Sequence, residues 1–488
     1  MLPEPSPQTG SATQSESKVV MLPQNAPEFA EVSEDSVARA FTQHHKDSLR
    51  FDHDLGRWFL WDGWRWAPDR TKQAYEFARR EARRLGRGQK ALGKASVAAG
   101  VERFAQSDNA HSVTQDVWDR SPLLIGTPGG TLDLQTGHLR PPKREDFITK
   151  LTSVAPENLT PERWLAFLDE ATGGDIELIR FLQQFVGYCL TGLTKEHTML
   201  FLYGPGGNGK SVFLNIIQKM LNEYSTTASM ETFAASKYDR HPAELAALRG
   251  ARLVVSSETE EGRVMAEARI KSLTGGDPIT ARFMRQNPFT FDPTFKIIMA
   301  GNHEPKIRNV DEAMKRRFRI VPFTVRPRVP NKGLESELTD ELPAILQWAV
   351  EGCLDWQKHG LICPSAVFQA TDDYFMSQDP VGAWLDANCE MDRGNAALVQ
   401  PVSDLFDSFS SFAAAHDDAA TTRKAFGASM KKLGFESRTA RVEGKPQKVY
   451  DGLKLRTSIG FSRHDAASAN VTDVTGFPYN QDIGDISE

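Results

Sequence analysis

The sequence predicts a mixed α/β protein built around a parallel sheet, with a smaller α+β region before it and a small basic unit after it. Three observations lead to this fold class. Apolar strand segments and amphipathic helix segments alternate over residues 196–327, which is the pattern of parallel strands joined by helices. A glycine-rich loop follows the first of these strands, and a helical pattern begins directly after the loop. The 488 residues suffice for about three domains.

Four apolar runs are expected to form the strands of the sheet, and the first leads into a helix predicted over 211–224. The runs are Met199–Tyr203, Arg252–Ser256, Phe295–Ala300 and Arg319–Phe323. Helical periodicity returns on both sides of this core. We therefore expect the following regions: a disordered acidic tail (1–37), an N-terminal α+β region (38–160), a helical collar (161–195), the α/β core (196–327), a helical extension (328–379), a small C-terminal unit (380–456) and a flexible acidic tail (457–488).

The N-terminal region opens with a tryptophan-rich stretch. Four tryptophans surround the turn residues Asp62 and Gly63, which predicts a β-hairpin. A basic helical stretch follows, with Arg79, Arg80, Arg83, Arg84 and Arg87 at helical spacing. This pattern fits a solvated helix face, and it also fits a stripe that contacts phosphates; the sequence leaves both open.

Composition excludes several classes of protein. The formal net charge is −6, so any nucleic-acid surface has to be local. The four cysteines stand far apart without a CxxC pair, which argues against a zinc ribbon and a disulfide framework. No apolar run approaches the roughly 20 residues of a membrane span. We expect a cytoplasmic protein, in a bacterial host, with no membrane partner.

The strongest motif is Gly204-Pro-Gly-Gly-Asn-Gly-Lys-Ser211, which matches GxxxxGK[ST]. Its glycines let backbone N–H groups close around phosphate oxygens, and the following helix adds its positive dipole end. Lys210 would contact the β- and γ-phosphates of ATP, and Ser211 would ligate Mg²⁺. The predicted nucleotide-binding residues are Gly204, Pro205, Gly206, Gly207, Asn208, Gly209, Lys210, Ser211 and Val212.

Three further elements follow this loop in the chain. Glu258, supported by Glu260, ends the second strand and is predicted to polarise the attacking water and to hold Mg²⁺; a solvated acidic loop is the alternative. Asn302 ends the third strand and would sense the γ-phosphate, unless it only forms a turn beside Gly301. Arg317, with Arg316 second, precedes the fourth strand and would stabilise phosphoryl charge from a neighbouring subunit; a solvated basic run is the alternative.

This order of motifs resembles that of the superfamily 3 helicases. More narrowly, it resembles the replication helicases of poxviruses, satellite phages and plasmids, often labelled phage/plasmid primases, over about residues 45–456. The resemblance implies an α/β AAA+ P-loop ATPase core, an N-terminal α+β helicase-associated domain and a homo-hexameric ring around DNA. It assigns the Walker B role to Glu258, sensor 1 to Asn302 and the trans-acting finger to Arg317.

The resemblance also implies a β-hairpin in the central pore, formed here by Arg282–Phe289. Arg285 near its tip is the expected DNA contact, with Arg282 and Lys271 in support; an exposed hairpin charge without a DNA contact is the alternative. Only about 45 residues precede the tryptophan-rich stretch, which is too short for the primase domain that many family members carry there. No primer synthesis is therefore expected.

The C-terminal unit concentrates positive charge. Residues 421–456 hold ten basic and three acidic residues, a net charge of +7 in a chain of net −6. A helix followed by a strand pair around Glu443-Gly444 predicts a winged helix that binds duplex DNA; a basic packing module is the alternative. The predicted contacts are Arg423, Lys424, Lys431, Lys432, Arg441, Lys445 and Lys448.

The leading hypothesis is an ATP- and Mg²⁺-dependent helicase that unwinds duplex DNA in phage, satellite or plasmid replication, with 3′→5′ polarity implied by the family. A replication initiator that recognises and melts an origin is the alternative, and an ATPase that remodels protein is a third reading. Expected partners are single-stranded and forked DNA, origin duplex DNA, further copies of the chain, and a separate primase or replisome protein.

Overall fold

The computed structural model describes residues 32–235, 243–257, 264–284, 287–307, 311–327, 329–392, 394–395, 397–415, 422–442 and 444–456. Its contacts divide the chain into two compact units. The first unit consists of residues 1–131 and 140–151, and the second of residues 132–139 and 152–488. No helix in the described part of the chain is both long and apolar enough to cross a membrane.

The first unit combines three helices with a four-stranded sheet. The helices are α1 (Glu34–His45), α2 (Gln73–Gly86) and α3 (Ala95–Gln106), and the strands are β1 (Leu49–Asp52), β2 (Arg57–Trp61), β3 (Trp66–Pro68) and β4 (Ser112–Val113). The strand order is β3-β2-β1-β4. A second, three-stranded sheet of β5 (Leu124–Thr127), β6 (Gly130–Asp133) and β7 (His138–Arg140) follows along the chain.

The predicted tryptophan hairpin is present in the first unit. β2 and β3 pair antiparallel with Trp61 opposite Trp66, and the Asp62 carboxylate accepts hydrogen bonds from the backbone of Trp64 and Arg65 in the turn. The indole N–H of buried Trp58 donates a 2.9 Å hydrogen bond to the Glu102 carboxylate, and that of buried Trp66 donates one of 2.9 Å to the Arg144 carbonyl. Both buried indole N–H groups are therefore satisfied. The hairpin is therefore part of a folded core.

The second unit contains the helices α4 (Glu162–Thr172), α5 (Ile176–Leu190), α6 (Lys210–Leu221), α7 (Ala243–Ala246), α8 (Glu267–Gly275), α9 (Glu312–Arg317), α10 (Leu334–Asp340), α11 (Leu342–His359), α12 (Ser365–Gln378), α13 (Pro380–Asn388), α14 (Val402–Ala415) and α15 (Arg423–Lys432). Its strands are β8 (Met199–Tyr203), β9 (Ser225–Thr227), β10 (Leu253–Ser257), β11 (Ile279–Ala281), β12 (Phe289–Phe291), β13 (Lys296–Gly301), β14 (Phe318–Pro322), β15 (Cys389–Met391), β16 (Val399–Pro401), β17 (Ser437–Val442), β18 (Lys445–Asp451) and β19 (Leu453–Leu455).

Five of these strands form one parallel sheet in the order β14-β8-β13-β10-β9. The predicted α/β class with a parallel sheet is thereby confirmed. Each of the four predicted strands is found within one residue of its expected bounds. The fifth strand, β9, is a short polar edge strand that the sequence does not announce. Because all five strands are parallel, their carboxyl ends meet at one edge of the sheet.

Two helices of the second unit cross at unusually close range. An added Cβ atom at Gly187 in α5 would lie 2.1 Å from the Cys353 nitrogen, and one at Gly352 in α11 would lie 2.2 Å from the Gln183 carbonyl oxygen. Beside the crossing, Arg180 and Asp355 form an ion pair at 2.8 Å. The hydrogen bond from Arg180 is the main reason that the pKa of Asp355 lies well below its usual range.

Helix α12 connects several parts of the second unit. Its Tyr374 hydroxyl donates a 2.6 Å hydrogen bond to the Pro305 carbonyl, in the loop after β13. The Thr371 hydroxyl accepts a 3.0 Å hydrogen bond from the backbone N–H of Ile320 in β14. The chain then turns at Asp379 into α13.

The last part of the second unit has its own apolar cluster. Trp384 packs edge to face against both Phe409 and Phe426 at its centre, and Met430 and Leu453 belong to the same cluster. Strands β16, β18 and β17 form a three-stranded antiparallel sheet, of which the β17–β18 hairpin extends into solvent, and β15 pairs with β19.

Candidate nucleotide site at the carboxyl edge of the parallel sheet

The glycine-rich loop joins β8 to α6, and its backbone requires glycine. Gly204, Gly207 and Gly209 have φ angles of +151°, +80° and +87°, which side-chain-bearing residues rarely adopt. An added Cβ at Gly204 would lie 1.9 Å from the Phe323 carbonyl oxygen, and one at Gly209 would lie 2.7 Å from the Phe167 ring. The loop is therefore both tightly turned and closely packed.

The Lys210 side chain is buried at the centre of this loop. Its ammonium group donates hydrogen bonds to the Gly204 carbonyl at 2.5 Å, to Asn208 Oδ1 at 2.9 Å and to Asn302 Oδ1 at 3.2 Å. Burial lowers the pKa of the Lys210 ammonium group. A positive charge is thus fixed at the start of α6, where backbone N–H groups and the helix dipole also favour an anion.

Neighbouring strands hold the loop from both sides. β13 pairs with β8 so that Gly301 lies opposite Tyr203, and this register places Asn302 beside the loop. On the other side, the Asn208 amide donates a hydrogen bond to the Phe323 carbonyl just after β14. The structure therefore brings together Lys210 and Asn302, which are 92 positions apart in the sequence.

Strand β10 is the third strand after which the sequence predicts a site residue. It pairs with β13 in register, with Ser257 opposite Ala300, so β10 ends at the same edge of the sheet. Glu258 and Glu260 lie outside the described residues. Their predicted roles in activating water and in holding Mg²⁺ therefore stay predictions. Ser211, the other predicted Mg²⁺ ligand, is exposed in the first turn of α6.

A cavity of about 390 Å³ continues from the loop, which is within the usual size of a small-molecule pocket. Gly207, Gly209 and Val212 line it on the loop side; Phe167 and Glu170 of α4 and Val325 line it elsewhere. Two polar lining residues are already engaged, because Arg163 and Asn331 both bond to Glu337. Sequence reasoning missed Phe167 and Glu170, since nothing in the α4 pattern distinguishes them from ordinary helix residues.

Arg316 and Arg317 lie at the end of α9, directly before β14. Because β14 runs parallel to β8, this position is at the amino edge of the sheet, opposite to the loop of the same chain. Arg317 donates to the Ala313 carbonyl at 3.1 Å, while its buried Nε has no hydrogen-bond partner within the described residues. The structure does not bring either arginine to Lys210.

The segment predicted as a hairpin contains an antiparallel pair, with Ala281 of β11 opposite Phe289 of β12. Arg282 and Met284 are exposed in the connecting loop, and Arg285 lies outside the described residues. Lys271 lies in α8, which precedes the hairpin, and its ammonium group forms an ion pair with Asp311, the residue that caps α9. Its supporting role in DNA contact stays a prediction.

The predicted duplex-binding residues of the last unit are all exposed. They lie on α15 (Arg423, Lys424, Lys431, Lys432) and on the β17–β18 hairpin (Arg441, Lys445, Lys448). Arg441 lies opposite Pro446 and Lys448 opposite Thr439. Since alternate residues of a strand share a face, Arg441 and Lys448 point to the same side of the hairpin.

Among the residues that the structure describes, no group of three or more His, Cys, Asp or Glu side chains could hold a metal ion by itself. The fold and the loop together have the form of a P-loop protein, with a phosphate-binding loop at the carboxyl edge of a parallel sheet.

Comparison with known proteins agrees with this class and makes it narrower. Residues 38–173 match the model of the D5 N terminal like family, and residues 202–317 match a family of unknown function, DUF5906. "Putative helicase L207/L206" of Acanthamoeba polyphaga mimivirus is 26% identical over 55% of this chain and 31% of its own length. "Putative helicase 022R" of Frog virus 3 is 26% identical over 55% of this chain and 29% of its own length. "Putative primase C962R" of an African swine fever virus isolate is 25% identical over 41% of this chain and 22% of its own length.

These matches confirm the resemblance that the order of motifs indicates: a segment like the D5 N terminal family is followed by a DUF5906 segment, and the chain is similar to viral proteins named putative helicases and primases. It matches less than a third of the length of these curated relatives. Among solved structures, the apo C-terminal region of NrS-1 is similar in fold, with a TM-score of 0.51 and 11% identity over 85% of this chain and 98% of that one.

Proposed function

We propose that this chain is the motor of an ATP-dependent DNA helicase that acts in the replication of a phage, satellite or plasmid. The observation that carries the proposal is the contact between Lys210 and Asn302 at 3.2 Å. It unites, at one edge of the sheet, a buried cation in a phosphate-binding loop and an amide that can reach the terminal phosphate. The relatives named helicases support unwinding as the work coupled to hydrolysis.

In the proposed site, the loop N–H groups and Lys210 bind the phosphates of ATP, and Ser211 with Glu258 holds Mg²⁺, which supplies charge neutralisation for the phosphoryl oxygens. Asn302 positions the attacking water. The base and ribose occupy the cavity beside Phe167. The all-parallel sheet, with the loop strand flanked by β13 and β14, supports an AAA+ core.

Hydrolysis is proposed to occur between subunits of a homo-hexameric ring, with Arg317, supported by Arg316, acting on the neighbouring subunit's ATP. The hairpin after β11 follows one DNA strand through the predicted contact Arg285, with Arg282 and Lys271 in support. The 3′→5′ polarity is carried over from the family resemblance. The proposal does not include primer synthesis, and it leaves priming to a separate replisome protein.

The substitution Lys210→Ala tests this motor. We expect it to abolish ATP hydrolysis and strand displacement on forked DNA, because the phosphates lose their buried cation, while duplex binding stays intact. Lys219→Ala is the matched control, since Lys219 lies on the same helix but bonds to Thr339 outside the loop. Strand displacement that survives in the Lys210→Ala protein would sink the proposal.

A second function, recognition and melting of a replication origin, is favoured by the exposed basic residues of α15 and of the β17–β18 hairpin. We propose that this part of the chain is a winged helix that binds duplex DNA. Arg441→Ala with Lys448→Ala should weaken duplex binding and lower its salt dependence by about one phosphate contact for each residue, while hydrolysis without DNA is unchanged. Unaltered duplex binding in electrophoretic mobility assays would assign this surface to packing.

A further inference from the structure

The end of α2 and the loop after it carry an unusual concentration of positive charge. Between residues 77 and 94 there are seven basic residues and a single acidic one, Glu81, whereas the whole chain is acidic. We call the following set the α2 basic face: Arg79, Arg80, Arg83, Arg84, Arg87, Lys90 and Lys94. It lies in the first unit, apart in sequence from the phosphate-binding loop, the β11–β12 hairpin and α15.

The packing of α2 directs these side chains outward. Ala74, Ala78 and Ala82 are buried in the apolar cluster of the first unit. Residues at positions 80, 83 and 84 therefore share the opposite, solvent-facing side, since they are spaced three or four apart, and Arg87 follows as the residue that caps the helix. All four of these arginines are exposed.

The carboxylates within reach neutralise only part of this charge. Glu76 pairs with Arg79 at 3.2 Å and with Arg80 at 3.1 Å. The buried Glu81 is shared by Arg84 and His44, whose hydrogen bonds lower its pKa although burial acts to raise it. Arg83, Arg87 and Lys90 form no ion pair within the described part of the chain.

We propose that the α2 basic face binds the phosphodiester backbone of DNA. From Arg80 to Gly86 the helix rises about 9 Å and Arg87 follows directly, so this row of guanidinium groups can follow several successive phosphates along a strand. Every basic residue on the helix itself from position 79 to position 86 is arginine, and guanidinium suits bidentate contact with phosphate better than ammonium does. A face that serves only solubility would mix both signs of charge.

The test compares the full-length Arg83→Ala/Arg87→Ala protein with the unaltered chain by fluorescence anisotropy on labelled single-stranded and duplex DNA over a series of NaCl concentrations. These two arginines are chosen because neither forms an ion pair within the described residues, so their removal breaks no salt bridge there. Arg39→Ala is the matched control, since Arg39 is an exposed arginine of the same unit paired with Asp35 on α1.

We expect the slope of log K against log [NaCl] to become shallower by about 1.4 on single-stranded DNA or about 1.8 on duplex DNA, and the DNA on which the slope changes is the form that this face contacts. At 0.1 M NaCl the lower value corresponds to about 25-fold weaker binding. Arg83→Lys/Arg87→Lys should keep most of the slope because the charge remains. ATP hydrolysis without DNA should be unchanged, which separates this result from a failure of the motor.

An unchanged slope and affinity in the Arg83→Ala/Arg87→Ala protein, at an unchanged melting temperature, would overturn the proposal and leave α2 with a solvated face. The proposal also fails if Arg39→Ala lowers the slope equally, because the effect would then reflect overall charge. If the double alanine variant does not fold, Arg83→Gln/Arg87→Gln repeats the test with helix-compatible side chains of similar length.

Discussion

Two variants that are each inactive should restore activity when mixed, if Arg317 acts on the nucleotide of a neighbouring subunit. The variants are Lys210→Ala, which removes the loop cation, and Arg317→Ala, which removes the finger. Alone, each should lower hydrolysis at least about 10³-fold, the range found for arginine fingers.

The sheet register is the reason to expect action between subunits. Phe318 lies opposite Met199, five positions before Gly204, and strands rise about 3.3 Å per residue. Phe318 therefore lies about 17 Å along the sheet from the loop, and Arg317 precedes it on the far side, while an extended arginine side chain of roughly six bonds reaches about 7 Å. Within one chain the guanidinium cannot contact the phosphates.

The magnitude of the recovery follows from ring assembly. In a ring made at random from equal amounts of the two variants, half of the sites have an intact loop, and half of their neighbours supply an intact finger. About a quarter of the sites are then complete, so the mixture should regain about a quarter of the unmixed wild-type activity, provided that sites hydrolyse independently.

The assay is steady-state phosphate release after the variants are mixed at a concentration that allows subunits to exchange. The double variant Lys210→Ala/Arg317→Ala is the control, because its mixtures with either single variant contain no complete site. The reasoning is refuted if the mixture of single variants stays as inactive as its components while labelled subunits demonstrably exchange.

Three further predictions concern stability. Gly352→Ala should lower the free energy of unfolding by at least about 2 kcal/mol in urea titrations, because its Cβ would lie 2.2 Å from the Gln183 carbonyl oxygen. Gly427→Ala is the control, since the space around Gly427 is open, and it should be neutral or stabilising. Burial lowers the pKa of Lys296 to about 7, below its value in the unfolded chain. Between pH 7 and about 10.5 the unfolded chain therefore binds more protons than the folded chain, so the free energy of unfolding should rise with pH by at most about 1.4 kcal/mol per pH unit. The variant Lys296→Met should flatten this pH dependence. Asp311→Asn keeps the side-chain cap of α9 but loses the ion pair with Lys271, so it should lower the free energy of unfolding by less than about 1 kcal/mol. Asp311→Ala also loses the cap and should lower the free energy of unfolding by about 1 kcal/mol more. Equal melting temperatures for the two variants would contradict the capping role.

The sheet could be predicted closely from the sequence because its strands are apolar runs with clear ends. Met199–Tyr203 is found with the bounds that the sequence predicts, and three other strands are shifted by a single residue. The edge strand Ser225–Thr227 could not be predicted, since three polar residues carry no periodicity and pair only because β10 lies beside them.

The candidate site divides in a similar way. Lys210 and Asn302 follow from local motifs, and a parallel sheet brings such strand ends together. The pairing of Lys271 with Asp311 depends on how α8 packs against α9, and the approach of Phe167 to Gly209 depends on α4, which the loop motif does not encode. Contacts between segments that are far apart in the chain have no counterpart in local sequence patterns.

Two hydrogen bonds connect α12 to two separate places, the loop after β13 and the strand β14. Through Tyr374 it is fixed to the loop that follows Asn302, and through Thr371 to the strand that follows Arg317. If one of these places moves relative to the other, α12 must be strained or tilted. Since only Asp379 separates α12 from α13, a tilt of α12 also acts on the C-terminal part of the chain. A movement at the carboxyl edge of the sheet would therefore change the angle between α12 and α13 at Asp379.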